Sequence, residues 1–130
     1  MIDRLFGGDT LVATTRALDA SSLRQQVIAN NLANVNTPGF KRQDVQFEDQ
    51  LSRALAQKSN PCAPASSSAI DSVHPCVVTV NSTSERADGN NVDMEMENVN
   101  MAENTLRFDT LAQSVAGYFS GLKAVINGGK

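Results

Sequence analysis

Residues 93–126 read DMEMENVNMAENTLRFDTLAQSVAGYFSGLKAVI, and the spacing within that stretch decides the fold. Met101, Phe108, Val115 and Leu122 fall seven apart, and Asn104, Leu111, Tyr118 and Val125 form a companion series three residues on. Two such series line one side of a helix over about three heptads. A helix is therefore predicted from Asp93 to Ile126. Asp93, Glu95, Glu97 and Glu103 lie in its first part and Lys123 in its last turn, a polarity that suits the helix dipole. Glu95 and Glu97 are two apart and point to different faces, so they read as solvated charge. Gly117 and Gly121 each cost about 1 kcal/mol relative to Ala inside a helix and make sense where another backbone packs closely. Met94, Met96 and Met101 read as packing residues.

A second long helix is predicted from Thr10 to Asn34, with Asp9 as its N-cap. Leu11, Leu18, Gln25 and Leu32 repeat every seven residues, and Val27, Ile28 and Val35 widen the stripe. A shorter helix is expected between Asp44 and Gln57, because Phe47, Leu51 and Leu55 are spaced four apart with Ala54 beside them. The fold class is all-α, with the N- and C-terminal helices as an antiparallel coiled coil and a short third helix. Leu11, Leu18, Leu32, Met101, Phe108, Leu111, Val115, Tyr118 and Leu122 are the candidate seam. Two long helices cover only one side of each other, so further subunits are the simplest cover for the rest.

The rest of the chain is polar. Of 31 Leu, Ile, Val and Phe residues, residues 57–91 hold five: Ile70, Val73, Val77, Val78 and Val80. That segment reads as a polar, partly flexible linker between residues 1–56 and 92–130, because it holds too little apolar surface to offset its ordering entropy. Cys76-Val77-Val78-Thr79-Val80 is β-prone and needs a partner strand or stays irregular. With 130 residues and a net charge of −3, the chain suits one domain or one long-helix subunit and lacks the basic runs that bind nucleic acid through phosphate. No apolar stretch approaches the roughly 20 residues of a membrane span. The N-terminus lacks the apolar stretch of a signal peptide, so any export is expected to use another route.

Between the first two helices lies Asn30-Asn31-Leu32-Ala33-Asn34-Val35-Asn36-Thr37-Pro38-Gly39-Phe40-Lys41. Pro38-Gly39 predicts a type II turn, and Asn36 a left-handed cap on the preceding helix. Asn side chains both donate and accept, so Asn30, Asn31, Asn34 and Asn36 suit backbone-directed bonds across a helix or subunit contact, or equally a solvated helix end. This stretch resembles the N-terminal signature of bacterial flagellar rod and hook proteins. Asp88 to Glu95, Met101 to Phe108 and Phe119 to Lys123 look like the C-terminal region of the short proximal rod proteins in that family. The likeness covers residues 10–56 and 86–126, and the middle segment with its two cysteines matches no family pattern.

The resemblance implies a non-enzymatic structural subunit of the basal-body rod, acting in motility as part of the drive shaft and export-channel wall. It implies export by the flagellar type III apparatus and assembly in the periplasm with copies of itself, with other rod proteins, and with components at the inner-membrane ring and export gate. Within it, Asn30, Asn31, Asn34, Asn36, Thr37, Pro38, Gly39 and Phe40 are the expected assembly turn. No cofactor or catalytic residue is expected. The one histidine, His74, has no scaffolded nucleophile beside it in the pattern. Cys62, His74 and Cys76 supply only three ligands at unusual spacing for zinc. Cys62 and Cys76 read either as a disulfide of the periplasm or as two free thiols. The competing reading is an amphipathic helical adaptor or export-associated binding protein outside the rod. It calls for a basic polar face, whereas residues 92–130 carry five acids and three bases.

Overall fold

The computed structural model describes residues 8–58, 70, 72–81 and 86–128. Its elements in chain order are α1 (Asp9–Ala33), β1 (Gln43–Gln46), α2 (Glu48–Lys58), β2 (Cys76–Thr79) and α3 (Met94–Ile126). The all-α architecture holds: α1 and α3 pack against each other, and a two-stranded sheet sits at one end of the pair.

The helix ends follow local chemistry. Asp93 caps α3, its Oδ1 accepting from the backbone N–H of Glu95 at 2.8 Å and of Met96 at 3.2 Å. Gly8, not Asp9, occupies the N-cap position of α1, in an extended conformation with no side-chain cap bond. Asp9 is instead the first helical residue, where its charge faces the positive end of the dipole. The C-cap of α1 is Asn34, whose Nδ2 donates to the Asn30 carbonyl at 2.9 Å. Asn36 is not left-handed, since no described non-glycine residue has positive φ. The amide of Asn34 already satisfies the helix end, so a left-handed residue is not needed there.

Residues 44–46 depart from the expected helix. With Gln43 they form β1, antiparallel to β2, with Gln43 opposite Thr79 and Gln46 opposite Cys76. The β-prone run at Cys76 thus finds its partner in a segment 30 or more residues earlier, and that pairing delays the start of the helix to Glu48. Phe47 sits just ahead of α2, its carbonyl accepting from the Leu51 N–H at 3.0 Å, whereas Leu55 of the expected stripe is 43% exposed.

Phe47 belongs to a small core with Ala20, Ala54, Ile70 and Val73, against which Val12, Ala13, Ala17 and Leu51 pack. Ile70 (1% exposed) and Val73 (5%) come from the polar middle segment, which therefore supplies part of the core. Replacing Phe47 with Ala is expected to cost about 3–5 kcal/mol, as for buried aromatics generally, and urea unfolding followed by circular dichroism checks it.

Candidate functional site

The stretch after α1 and the stretch before α3 dock onto each other. Asn90 is fully buried, and its Nδ2 donates toward the carbonyls of Asn34 (3.0 Å), Val35 (3.1 Å) and Thr37 (2.9 Å). Its Oδ1 accepts from the Val92 N–H at 2.8 Å. One side chain from the C-terminal stretch thereby collects carbonyls that the end of α1 leaves without helical partners. Around it, the Gly39 N–H donates to the Asp88 carbonyl at 2.9 Å, Lys41 Nζ to the Gly89 carbonyl at 2.7 Å, and an Arg86 guanidinium N–H to the Val35 carbonyl at 2.9 Å.

Both facing turns need glycine. Gly39 has φ 73° and Gly89 φ 79°, values that residues with a Cβ rarely adopt. The Phe40 N–H donates to the Thr37 carbonyl at 3.2 Å, closing the turn predicted at Pro38-Gly39.

Deeper in, Asn31 and Glu97 join α1, β1 and α3. Asn31 is fully buried, and its amide exchanges two bonds with the Gln43 backbone, donating to the carbonyl at 2.8 Å and accepting from the N–H at 2.9 Å. The side chain thus acts as one more rung on β1. The same Nδ2 also donates to Glu97 Oε2 at 3.1 Å, and Arg42 Nε donates to Glu97 Oε1 at 2.6 Å. Glu97 is 0% exposed, which corrects its reading as a solvated charge. Burial works against the Arg42 charge, but the hydrogen bond and charge of Glu97 outweigh it and raise the guanidinium above its ordinary value. Asn91 completes the network, accepting from the Arg42 N–H at 2.7 Å and donating to the Val80 carbonyl at 2.8 Å.

A second ion pair ties α1 to α2. Two guanidinium nitrogens of Arg24 meet the two oxygens of Glu48 at 2.7 and 2.8 Å, and Arg24 also donates to the Val45 carbonyl at 2.9 Å. The hydrogen bond from Arg24 holds the Glu48 carboxyl below its usual range, against the opposing effect of burial.

The expected assembly turn divides by exposure. Asn31 is buried and Asn34 and Phe40 half-buried, while Asn30, Asn36, Thr37, Pro38 and Gly39 are exposed. The expected seam residues Leu11, Leu18, Leu32, Met101, Phe108, Leu111, Val115, Tyr118 and Leu122 are all half-buried. The fully buried residues of α3 are polar, Glu97 bonded to Asn31 and Asn104 bonded to buried Ser21 and half-buried Gln25. Those pairs make the helices antiparallel. At the ~1.5 Å rise of both helices, Asp9 lies level with about residue 117, so roughly two and a half turns of α3 run past the first described turn of α1. Phe119 (55% exposed), Val125 (75%) and Ile126 (73%) lie on that stretch. Gly117 and Gly121 face open space in the described chain. An apolar groove of 430 Å³ opens between α1, α2 and α3, lined among others by Ala17, Leu51, Leu106 and Leu111.

Sequence reasoning missed Arg42, Asn90 and Glu97. Asn90 lies in the Asp88–Glu95 motif and Glu97 seven residues before Asn104, but nothing local links any of the three to its partners. His74 and Cys76 are exposed, and Cys62 lies outside the described residues, as does any pairing it makes. Among the described residues, no three His, Cys, Asp or Glu side chains gather as a metal site, and no described helix is long and apolar enough to cross a membrane.

The fold and its clasp describe a helical subunit whose two signature stretches hold its ends together. Residues 12–41 match the Flagella basal body rod protein family. The chain is similar to Flagellar basal body rod protein FlgB of Bacillus subtilis (strain 168), with 35% identity spanning 97% of this chain and 98% of the relative. It is 30% identical to the FlgB of Yersinia enterocolitica, over 99% of this chain and all of that protein, and 27% identical to that of Escherichia coli (strain K12), over 87% and 89%. The chain belongs to the FlgB family of flagellar basal body rod proteins.

Two measurements check the site. Arg42→Ala leaves Glu97 buried without its cation and is expected to cost about 3–5 kcal/mol in urea unfolding, the usual effect of breaking a buried pair from one side. Glu48 has a lowered folded-state pKa, so its stabilisation is present above the ordinary carboxylate value and is lost as pH falls through the folded one. Between about pH 5 and pH 3 the melting temperature of Glu48→Gln is therefore expected to fall less steeply than that of the unmodified chain.

Proposed function

We propose that this chain builds the flagellar basal body rod by covering the uncovered part of its own long helix with other copies and with other rod subunits. Its role is that of a structural rod subunit and not of an enzyme. One observation carries the proposed mode of assembly: the fully buried residues of α3 are polar, while its apolar side chains are half-buried or exposed. Its early residues Glu97 and Asn104 are buried, whereas Phe119, Val125 and Ile126 are more than half exposed. A stable monomer places its apolar side chains the other way round.

In this reading Leu111, Val115, Tyr118 and Leu122 continue the stripe into a seam shared between subunits. The turn from Asn34 to Phe40 has a different part. Its inner atoms are held by Asn90, and its exposed face (Asn36, Thr37, Pro38) is presented at a subunit junction. Repeated head-to-tail contacts of this kind do not close on themselves and generate a helical assembly. Such an assembly serves as drive shaft and channel wall, next to the inner-membrane ring and export gate, after passage through the flagellar type III apparatus.

Val125→Asp tests the seam, because that side chain is 75% exposed and the isolated chain has no need of it. The expected outcome is unchanged helicity of the purified protein, no swimming in soft agar, and basal bodies that lack a complete rod by electron microscopy. Leu111→Asp is expected to behave likewise. Normal swimming and complete rods in both variants refute the seam.

A further inference from the structure

The heptad series on α3 begins earlier than its apolar members suggest, running Glu97, Asn104, Leu111, Tyr118, Val125. Asn104 is its most instructive position. It is 2% exposed and faces α1, its Nδ2 donating to the Ser21 carbonyl at 2.9 Å and to Gln25 Oε1 at 2.7 Å. Both contacts are acceptors, so the amide has one workable orientation, with Oδ1 turned away. That Oδ1 is buried with no hydrogen-bond partner. An unpaired buried acceptor costs stability that an apolar side chain would not. Nor does space exclude one, since cavities of 260 and 290 Å³ both have Asn104 among their lining residues.

A buried Asn in a helix pair has one well-attested use. It weakens the pair but makes it selective for the partner that satisfies its amide. We propose that Asn104 is the partner-choice residue of α3. Its Nδ2 is satisfied against Ser21 and Gln25 of its own chain, whereas against an apolar helix from another copy both ends of the amide are stranded. It thereby reserves the first half of α3 for α1 of the same chain and confines contacts between copies to the second half, from Leu111 onward. The confinement of contacts to the second half of α3 rests on the rod reading, whereas the selectivity of Asn104 stands on the geometry of the helix pair, so purified protein tests it whatever the outcome for motility.

The test uses the full chain with Cys62→Ser and Cys76→Ser, and with Ser22→Cys and Thr105→Cys on opposite walls of the 290 Å³ cavity between α1 and α3. A short bis-maleimide is added to dilute protein, and a denaturing gel separates cross-links within one chain from those between two. With Asn104 present, cross-links within the chain are expected to dominate. In Asn104→Leu, helicity is expected to persist while the between-chain to within-chain ratio rises by roughly tenfold, a loss of about 1.4 kcal/mol of discrimination. An unchanged ratio overturns the proposal, as does predominant between-chain linking when Asn104 is present. If Asn104→Leu loses its helicity, Asn104→Ala, which removes the amide without adding bulk, is read in the same way. Loss of helicity in both variants also overturns the proposal, because Asn104 then serves folding and not partner choice.

Discussion

The buried contact of Arg42 and Asn31 with Glu97 is the constraint on which the rest of the molecule depends. A carboxylate at 0% exposure is tolerable only where donors surround it. Here they come from the end of α1, from Arg42 just before β1, and from Asn100 one turn on in α3. Once Glu97 is so placed, α3 begins at a defined height beside α1, Asn90 and Asn91 fall against the chain that leaves α1, and Arg42 has its backbone held by Asn91 and Val80. The fixed end of the helix pair is thus built from polar groups whose alternative partners are excluded, and not from a large apolar core. The apolar cluster around Phe47 and Ile70 lies farther along α1 and is small.

This division explains how a chain with few large apolar residues holds a defined shape while leaving much of a long helix uncovered. Hydrogen bonds are directional and saturable, so they specify one arrangement at the clasp. Apolar surface is neither, so it accepts several neighbours. Directional groups lie where the chain meets itself, and apolar groups lie where, on the reading proposed above, it meets other subunits.

The periodic parts of the fold were legible in the sequence. Both terminal helices lie within a residue of their predicted limits and the Pro38-Gly39 turn follows from local chemistry, while the cap expected at Asp9 falls to Gly8 and Asp93 caps the helix it was expected to begin. What could not be read depends on partners far along the chain. The short helix is expected to begin at Asp44, but residues 43–46 form a strand because Cys76–Thr79 lies beside them. Glu97 reads as a solvated charge because its cation is 55 positions away. The asparagines left two readings open, and the choice between them depends on Gln43 and Asn90, which no local pattern connects to α1.

The separation between Asn31 and Glu97 has a kinetic corollary. They lie 66 positions apart, and the carbonyls after α1 wait for Asn90, more than 50 positions on. Contacts that span so much chain form late, because loop-closure entropy is lost before they return anything. A polypeptide emerging from a ribosome or a narrow conduit with its first residue leading can pair its leading helix with β1 and α2 early, but has nothing to fix that helix against α3 until three quarters of its length is out. The last part to arrive therefore closes the clasp and sets the whole.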